Sequence, residues 1–214
     1  TACASFDNAL CLLHDQSCFT QLLEWVRSTD EEVAAEAAVV LDEIADREPL
    51  RSEWTSEQIA ALFESPNAAL AKAVATLSLE DSQATLLAKD HLEKVVDWVK
   101  GEDEAQRIAG LMAVGNICRS DIQCKLLLSV GIVATLVAAA RHSNVNLQHL
   151  SAGCLGNLAI PVGHPGILLD EGVLDALLYM VAESKNAHAL FSAVVAIKRM
   201  CALPTCPLEL RQAL

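Results

Sequence analysis

The sequence predicts an all-α solenoid, a stack of helical triplets without a sheet. Three observations lead there. The composition is 53% hydrophobic but only 4% aromatic, an Ala, Leu and Val mixture that suits close helix packing better than strands. Apolar residues recur at helical spacing, as at Leu150, Cys154, Leu158 and Ala159. The chain also matches itself at a shift of 41 residues: Leu127 and Leu128 fall on Leu168 and Leu169, Gly131 on Gly172, Leu136 on Leu177, Gly115 on Gly156 and Asn116 on Asn157.

Taken in order, the repeats lie at roughly 18–49, 56–81, 82–120, 121–161 and 163–203. The first is anchored by "LLEWVRSTDEEV" from Leu22, which parallels "VVDWVKGEDEAQ" from Val95 and aligns Trp25 with Trp98. The second, "SEQIAALFESPNAALAKAVATLSLED", is a shortened copy. In the third, Leu86, Leu87, Leu92, Val95 and Val96 fill the apolar positions, and Asp90 stands where the later copies have glycine. The fourth predicts helices at 121–129, 132–140 and 145–159, with Gly131 at the first corner because glycine enters left-handed backbone without steric cost. The fifth follows the same plan to residue 203. A period near forty with three helices per unit is the mark of an armadillo-type solenoid, in which no unit buries its apolar face alone and stacking does so. The expectation is one armadillo domain over 1–214, of a length compatible with a piece of a longer solenoid.

Net charge is −13, and it is unevenly placed: residues 1–107 hold 22 acidic and 8 basic side chains, residues 108–214 hold 6 and 7. Such a field opposes nucleic acid and anionic membrane and attracts a basic partner. Asp30, Glu31, Glu32 and Glu36 form the leading acidic cluster and the expected landing patch for a basic tail. Charge clusters also serve plain solvation of a helix face, so composition leaves both readings open.

Eight cysteines show no C-x-x-C pair. The spacing of Cys3, Cys11, His14 and Cys18 does not fit a zinc finger, so no metal site is expected. The pattern suggests reduced thiols and a cytoplasmic chain. No apolar run approaches the roughly 20 residues of a membrane span, and "TACASFDNAL" lacks a basic leader region. Six scattered histidines, with no i, i+4 pair, are expected to be unligated and solvated, His142 and His164 in turns. No phosphate-binding glycine loop or convergent titratable cluster is visible, so neither an enzyme nor a cofactor is expected.

The third helices of an armadillo stack line a groove. In the repeat register Glu43, Thr76, Asn116, Asn157 and Arg199 occupy equivalent places there. Arg119 lies one turn beyond Asn116, and His149 two turns before Asn157. An amide in that row can donate to and accept from a partner's backbone; equally, it can bond the neighbouring rung. Arg119 and Arg199, near helix C-termini, also suit the helix dipole. Gly115 and Gly156 would let third helices approach closely.

The stretches "NVNLQHLSAGCLGNLAIPV", "GLMAVGNICRSD" and "VVDWVKGEDEAQRIAG" resemble the C-terminal armadillo region of the small-GTPase GDP-dissociation stimulator (SmgGDS) family. The resemblance covers about residues 92–203. It implies a non-catalytic protein that binds Rho and Ras GTPases bearing polybasic, often prenylated, tails and that promotes GDP release or chaperones the GTPase. Asn116 and Arg119 of "GNICRSD" match the family's "NFARND", and Asn157 matches "RNLAIPV". Where that motif has arginine before the asparagine, this chain has Gly156. The alternative is an armadillo scaffold that binds a basic segment without exchange activity. A nuclear-import receptor is disfavoured, because Met112 and Gly153 stand where such proteins place tryptophan four residues before the groove asparagine.

Overall fold

The computed structural model describes residues 5–65, 67–161 and 163–202; Cys3 and Cys206 lie outside them. Every regular element there is a helix. In order these are α1 Phe6–His14, α2 Gln16–Val26, α3 Glu31–Asp46, α4 Glu48–Arg51, α5 Ser56–Leu62, α6 Ala68–Leu77, α7 Asp81–Asp90, α8 Leu92–Lys100, α9 Glu104–Ile117, α10 Asp121–Ser129, α11 Ile132–Ala140, α12 Val145–Leu158, α13 His164–Asp170, α14 Val173–Glu183 and α15 Ala187–Cys201. The helices expected at 121–129, 132–140 and 145–159 are α10, α11 and α12. No helix among the described residues is long and apolar enough to cross a membrane.

Caps set the helix starts. The side chains of Ser5, Asp15, Asp30, Asn67, Ser120, Asn144 and Asn186 each accept from a backbone N–H in the first turn that follows. Thr55 and Gln58 form a reciprocal capping box at α5. Corners are set by glycine: Gly131 and Gly172 lie at φ 68° and 74°, each between the first and second helix of its triplet. At Gly131 the chain bends by 88°.

The third triplet has no glycine at this corner and turns differently. His91 sits between α7 and α8 at φ −133° and is only 7% exposed. Its Nε2 lies 3.1 Å from the Ser56 hydroxyl, and its ring packs on Phe63. Burial, and then the Lys94 cation, hold the ring below its ordinary pKa. The unfolded chain therefore takes up a proton that the folded chain refuses. The stability that His91 contributes is complete above about pH 6.5 and is lost as pH falls below it. Thermal melts at about pH 7.5 and pH 5.5 should show a smaller acid-side drop in midpoint for His91→Gln than for the parent chain.

Contacts divide the chain into two compact units, Thr1–Ala113 and Val114–Leu214. In the first, α3 stacks on α6, and Ala71 and Ala75 of α6 meet Ala109 of α9 beneath Trp98. Phe63 lies against Trp98 with ring centroids 4.4 Å apart. Helices α8 and α9 approach closely at Gly110, where a Cβ would fall 2.8 Å from Val99 Cγ2 and 3.2 Å from the Val95 carbonyl. In the second unit α12 stacks on α15, and α11 and α14 pack behind them. Leu136, Leu155, Leu158, Leu177 and Met180 are fully buried there. Small residues let these helices close up: a Cβ on Gly156 would sit 3.3 Å from Ala196 Cα.

Candidate functional site

In the second unit three rungs are tied by a chain of polar contacts. Asn157, half-buried on α12, donates from Nδ2 to the Gly115 carbonyl at 3.2 Å. Its Oδ1 accepts from Arg199 Nη1 of α15 at 2.8 Å. The amide thus bonds its own solenoid on both sides, one of the two uses expected of it. One N–H and one lone pair of Asn157 are left over, and Arg199 keeps four further N–H donors. Asn116 is half-buried on α9, and Arg119 is exposed in the turn after it.

Gly156 explains the missing arginine. The space a side chain would need there is closed by Ala196, and Arg199 Nη1 lies 3.4 Å from the Cβ position. A guanidinium therefore stands beside position 156, but it comes from the next rung.

His149 begins a second polar contact between α12 and α15. Its Nδ1 lies 2.9 Å from Ser192 Oγ and 3.3 Å from the His188 carbonyl, and the two imidazoles are 6.0 Å apart. The sequence offered no histidine pair because these two are separated by nearly one repeat. No carboxylate completes a catalytic relay in these contacts, and no cluster among the described residues has the make-up of a metal site.

Two other histidine expectations are corrected. His164 opens α13 and is 5% exposed, with Nδ1 held 3.1 Å from the Leu158 carbonyl, so it is neither in a turn nor solvated. His91 is the buried corner described above. Thr76 is also buried, so it projects into no groove.

Thiols cluster under the polar row. Cys118, Cys124 and Cys154 are buried. A hydrogen bond from Cys118 to Cys124, followed by burial, raises the pKa of Cys118, and the same bond lowers that of Cys124. Burial pushes Cys154 up to about 12.

In the first unit the acidic cluster divides by role. Glu31, Glu32 and Glu36 are exposed on α3. Asp30 is the α3 N-cap, with Oδ1 accepting from Glu32 N at 3.0 Å and Val33 N at 3.3 Å. Its carboxylate is engaged in holding the helix start. Asp30→Ala should cost about 1 kcal/mol in a urea melt, and Asp30→Asn, which retains the acceptor, only a few tenths. Charge reversal at Asp30 would therefore confound binding with helix fraying. Glu43 is half-buried and lies with Glu32 and Glu36 along a cavity of about 670 Å³ formed by α1, α2 and α3.

No family model matches the chain. Among curated proteins it is similar to the Rap1 GTPase-GDP dissociation stimulator 1-A of Xenopus laevis, 32% identical over 90 residues, covering 40% of this chain and 15% of that protein. It is also similar to the GTPase-GDP dissociation stimulator vimar of Drosophila melanogaster, 27% identical over 113 residues, covering 50% of this chain and 18% of that one. The matched segments thus span less than a fifth of those relatives. Among solved structures it is similar to a computationally designed armadillo repeat protein for modular peptide recognition, with TM-score 0.76 and 17% identity over 90% of this chain and 85% of that one. A designed armadillo repeat protein in complex with the peptide (KR)4 matches with TM-score 0.71 and 18% identity over 93% and 88%. The fold is an all-α armadillo solenoid, and the chain's curated homologues, over part of its length, are GDP dissociation stimulators of the family that "GNICRSD" and "NLAIPV" resemble.

Proposed function

We propose that this chain binds small GTPases of the Rho and Ras families that carry a polybasic C-terminal segment, and that it promotes GDP release or chaperones them in the cytoplasm. The observation that carries the reading is the similarity to proteins named as GDP dissociation stimulators. Geometry and charge support it. Glu31, Glu32 and Glu36 are exposed on one helix of an acidic unit and would steer a basic tail. A neighbour of the same fold holds a peptide of alternating Lys and Arg. Asn116, Arg119, His149, Asn157 and Arg199 supply a separate polar row for the body of the GTPase, with the remaining Arg199 donors suited to an acidic loop.

Exchange needs no catalytic group in this scheme. The scaffold binds the GTPase better with its nucleotide pocket open than closed, and each 1.4 kcal/mol of difference shifts the open fraction about tenfold. The test is release of labelled GDP from a polybasic Rho protein at low salt. Acceleration by this chain is expected; no acceleration together with no binding would eliminate the proposal.

One observation favours a second reading, an armadillo adaptor without exchange activity. Asn157 and Arg199 are bonded to one another, so the centre of the polar row is already occupied. Binding of a basic-tailed GTPase with GDP release unchanged would select the adaptor.

A further inference from the structure

The corner between α9 and α10 brings two thiols together. It lies in mid-chain, inside the unit Val114–Leu214. Cys118 is the residue that follows α9, and Cys124 stands at the start of α10. The backbone fixes both: Cys118 N donates to the Val114 carbonyl at 3.1 Å, and Cys124 N to the Ser120 carbonyl at 2.9 Å. Between them the Arg119 N–H turns back on the Ile117 carbonyl at 2.6 Å, and the Ser120 side chain caps α10. Cys118 donates a hydrogen bond to the Cys124 sulfur, so the two side chains already face each other. Both are free thiols, 7% and 2% exposed.

Two sulfurs in such contact can share a metal ion or join. Among the described residues no third His, Cys, Asp or Glu completes a metal-binding set with them. Cys154 lies close by, its sulfur 3.5 Å from where a Gly115 Cβ would stand, but burial keeps it a thiol with a pKa pushed up to about 12. Joining needs one sulfur as thiolate and the other as its resolving partner. The pair is divided in that way. The bond from Cys118 holds the Cys124 thiol below its ordinary pKa, against burial and the Asp121 carboxylate, and the N–H groups opening α10 act in the same direction. The same bond, and then burial, raise that of Cys118. Cys124 is the nucleophile and Cys118 the resolving thiol.

We propose that Cys118 and Cys124 form a peroxide-sensitive dithiol that closes reversibly into a disulfide across the α9–α10 corner. The Cys124 thiolate attacks one oxygen of hydrogen peroxide. The O–O bond breaks, hydroxide leaves, and the sulfur is oxidised to a sulfenic acid. The Cys118 sulfur then attacks the Cys124 sulfur, the S–O bond breaks, and the departing hydroxide takes the Cys118 proton as water. Together the two thiols give up two electrons and two protons, and one peroxide becomes two waters. The reagent is small, and Arg119, Ser120 and Asp121 of the corner are exposed, so its path to the sulfurs is short. The closed ring contains Arg119, and oxidation fixes the turn that carries it. The inference goes beyond the proposed function, and its test needs no GTPase.

Trypsin makes the pairing readable. It cuts after Arg107, Arg119 and Lys125, which puts Cys118 in peptide 108–119 and Cys124 in peptide 120–125. The folded, fully reduced chain is treated with hydrogen peroxide at neutral pH, alkylated, digested without reductant and analysed by mass spectrometry. The expected product is 108–119 joined to 120–125, lost on treatment with dithiothreitol, with Cys154 recovered as a free thiol. Cys118→Ser removes the resolving sulfur and should leave Cys124 as a sulfenic acid that dimedone traps at least about tenfold faster than any at Cys154. Cys124→Ser should leave Cys118 reduced. Absence of the 108–119 to 120–125 link in the folded parent chain would overturn the proposal, whichever variants fold. So would a link that joins either sulfur chiefly to Cys154, or one that forms only in urea.

Discussion

Gly110→Ala should destabilise the chain by about 1–2 kcal/mol, although alanine is the better helix former. The propensity gain is roughly 1 kcal/mol. Against it stands a Cβ placed 2.8 Å from Val99 Cγ2, 3.2 Å from the Val95 carbonyl and 3.2 Å from Val99 N. Val99 is 1% exposed and β-branched, so rotating its side chain away leaves the rotamer a helix prefers, and two of the close atoms are backbone. Overpacking of this kind costs about 1–3 kcal/mol, and with backbone on the other side the upper part of that range applies. Gly153→Ala is the matched control. Apart from the backbone of its own helix and its chain neighbours, no atom lies within 4 Å of its Cβ position, so the propensity term stands alone and the variant should gain up to about 1 kcal/mol. Urea melts of the two variants should move in opposite directions. Parallel shifts would mean that helix propensity, not interhelical distance, governs both sites.

Reversing Glu31, Glu32 and Glu36 to Lys together should weaken binding of a polybasic GTPase tail roughly 10- to 100-fold at low salt. All three carboxylates are exposed, so none leaves a buried charge or an empty cavity behind. The loss should appear mainly in the association rate and should shrink as salt rises, because exposed charges are screened over about 8–10 Å at physiological ionic strength. Asp30 is retained as the cap, but Glu31 and Glu32 stand in the first turn of α3, so their reversal against the helix dipole should lower stability by about 1–2 kcal/mol in a melt. Binding is compared at a temperature where both chains are folded. Stopped-flow association at two salt concentrations checks it. An unchanged rate at low salt would remove the acidic face from the binding site.

Much of this fold was legible in the sequence, because one mechanism produced both. A repeat of 41 residues forces equivalent side chains into equivalent places, so Gly131 and Gly172 announced the same left-handed corner. Caps such as Asn144 and Asn186 sit where a polar residue precedes an apolar helical run. The site was less legible. Register placed Asn116, Asn157 and Arg199 in one row, but not that Asn157 would spend its amide on Arg199 and on the Gly115 carbonyl. That depends on interhelical distance, which Gly156 and Ala196 set together. Gly110 went unremarked because its neighbour is a valine eleven residues back, on another helix.

Cys154 gives the second unit a chemical clock. Buried within α12, and with a thiol whose pKa is pushed up to about 12, it offers almost no thiolate to an alkylating reagent while the helices stay shut. Its labelling rate at neutral pH therefore counts transient openings of that unit. A mass-spectrometric time course would time those openings directly, with exposed Cys11 as the fast internal standard.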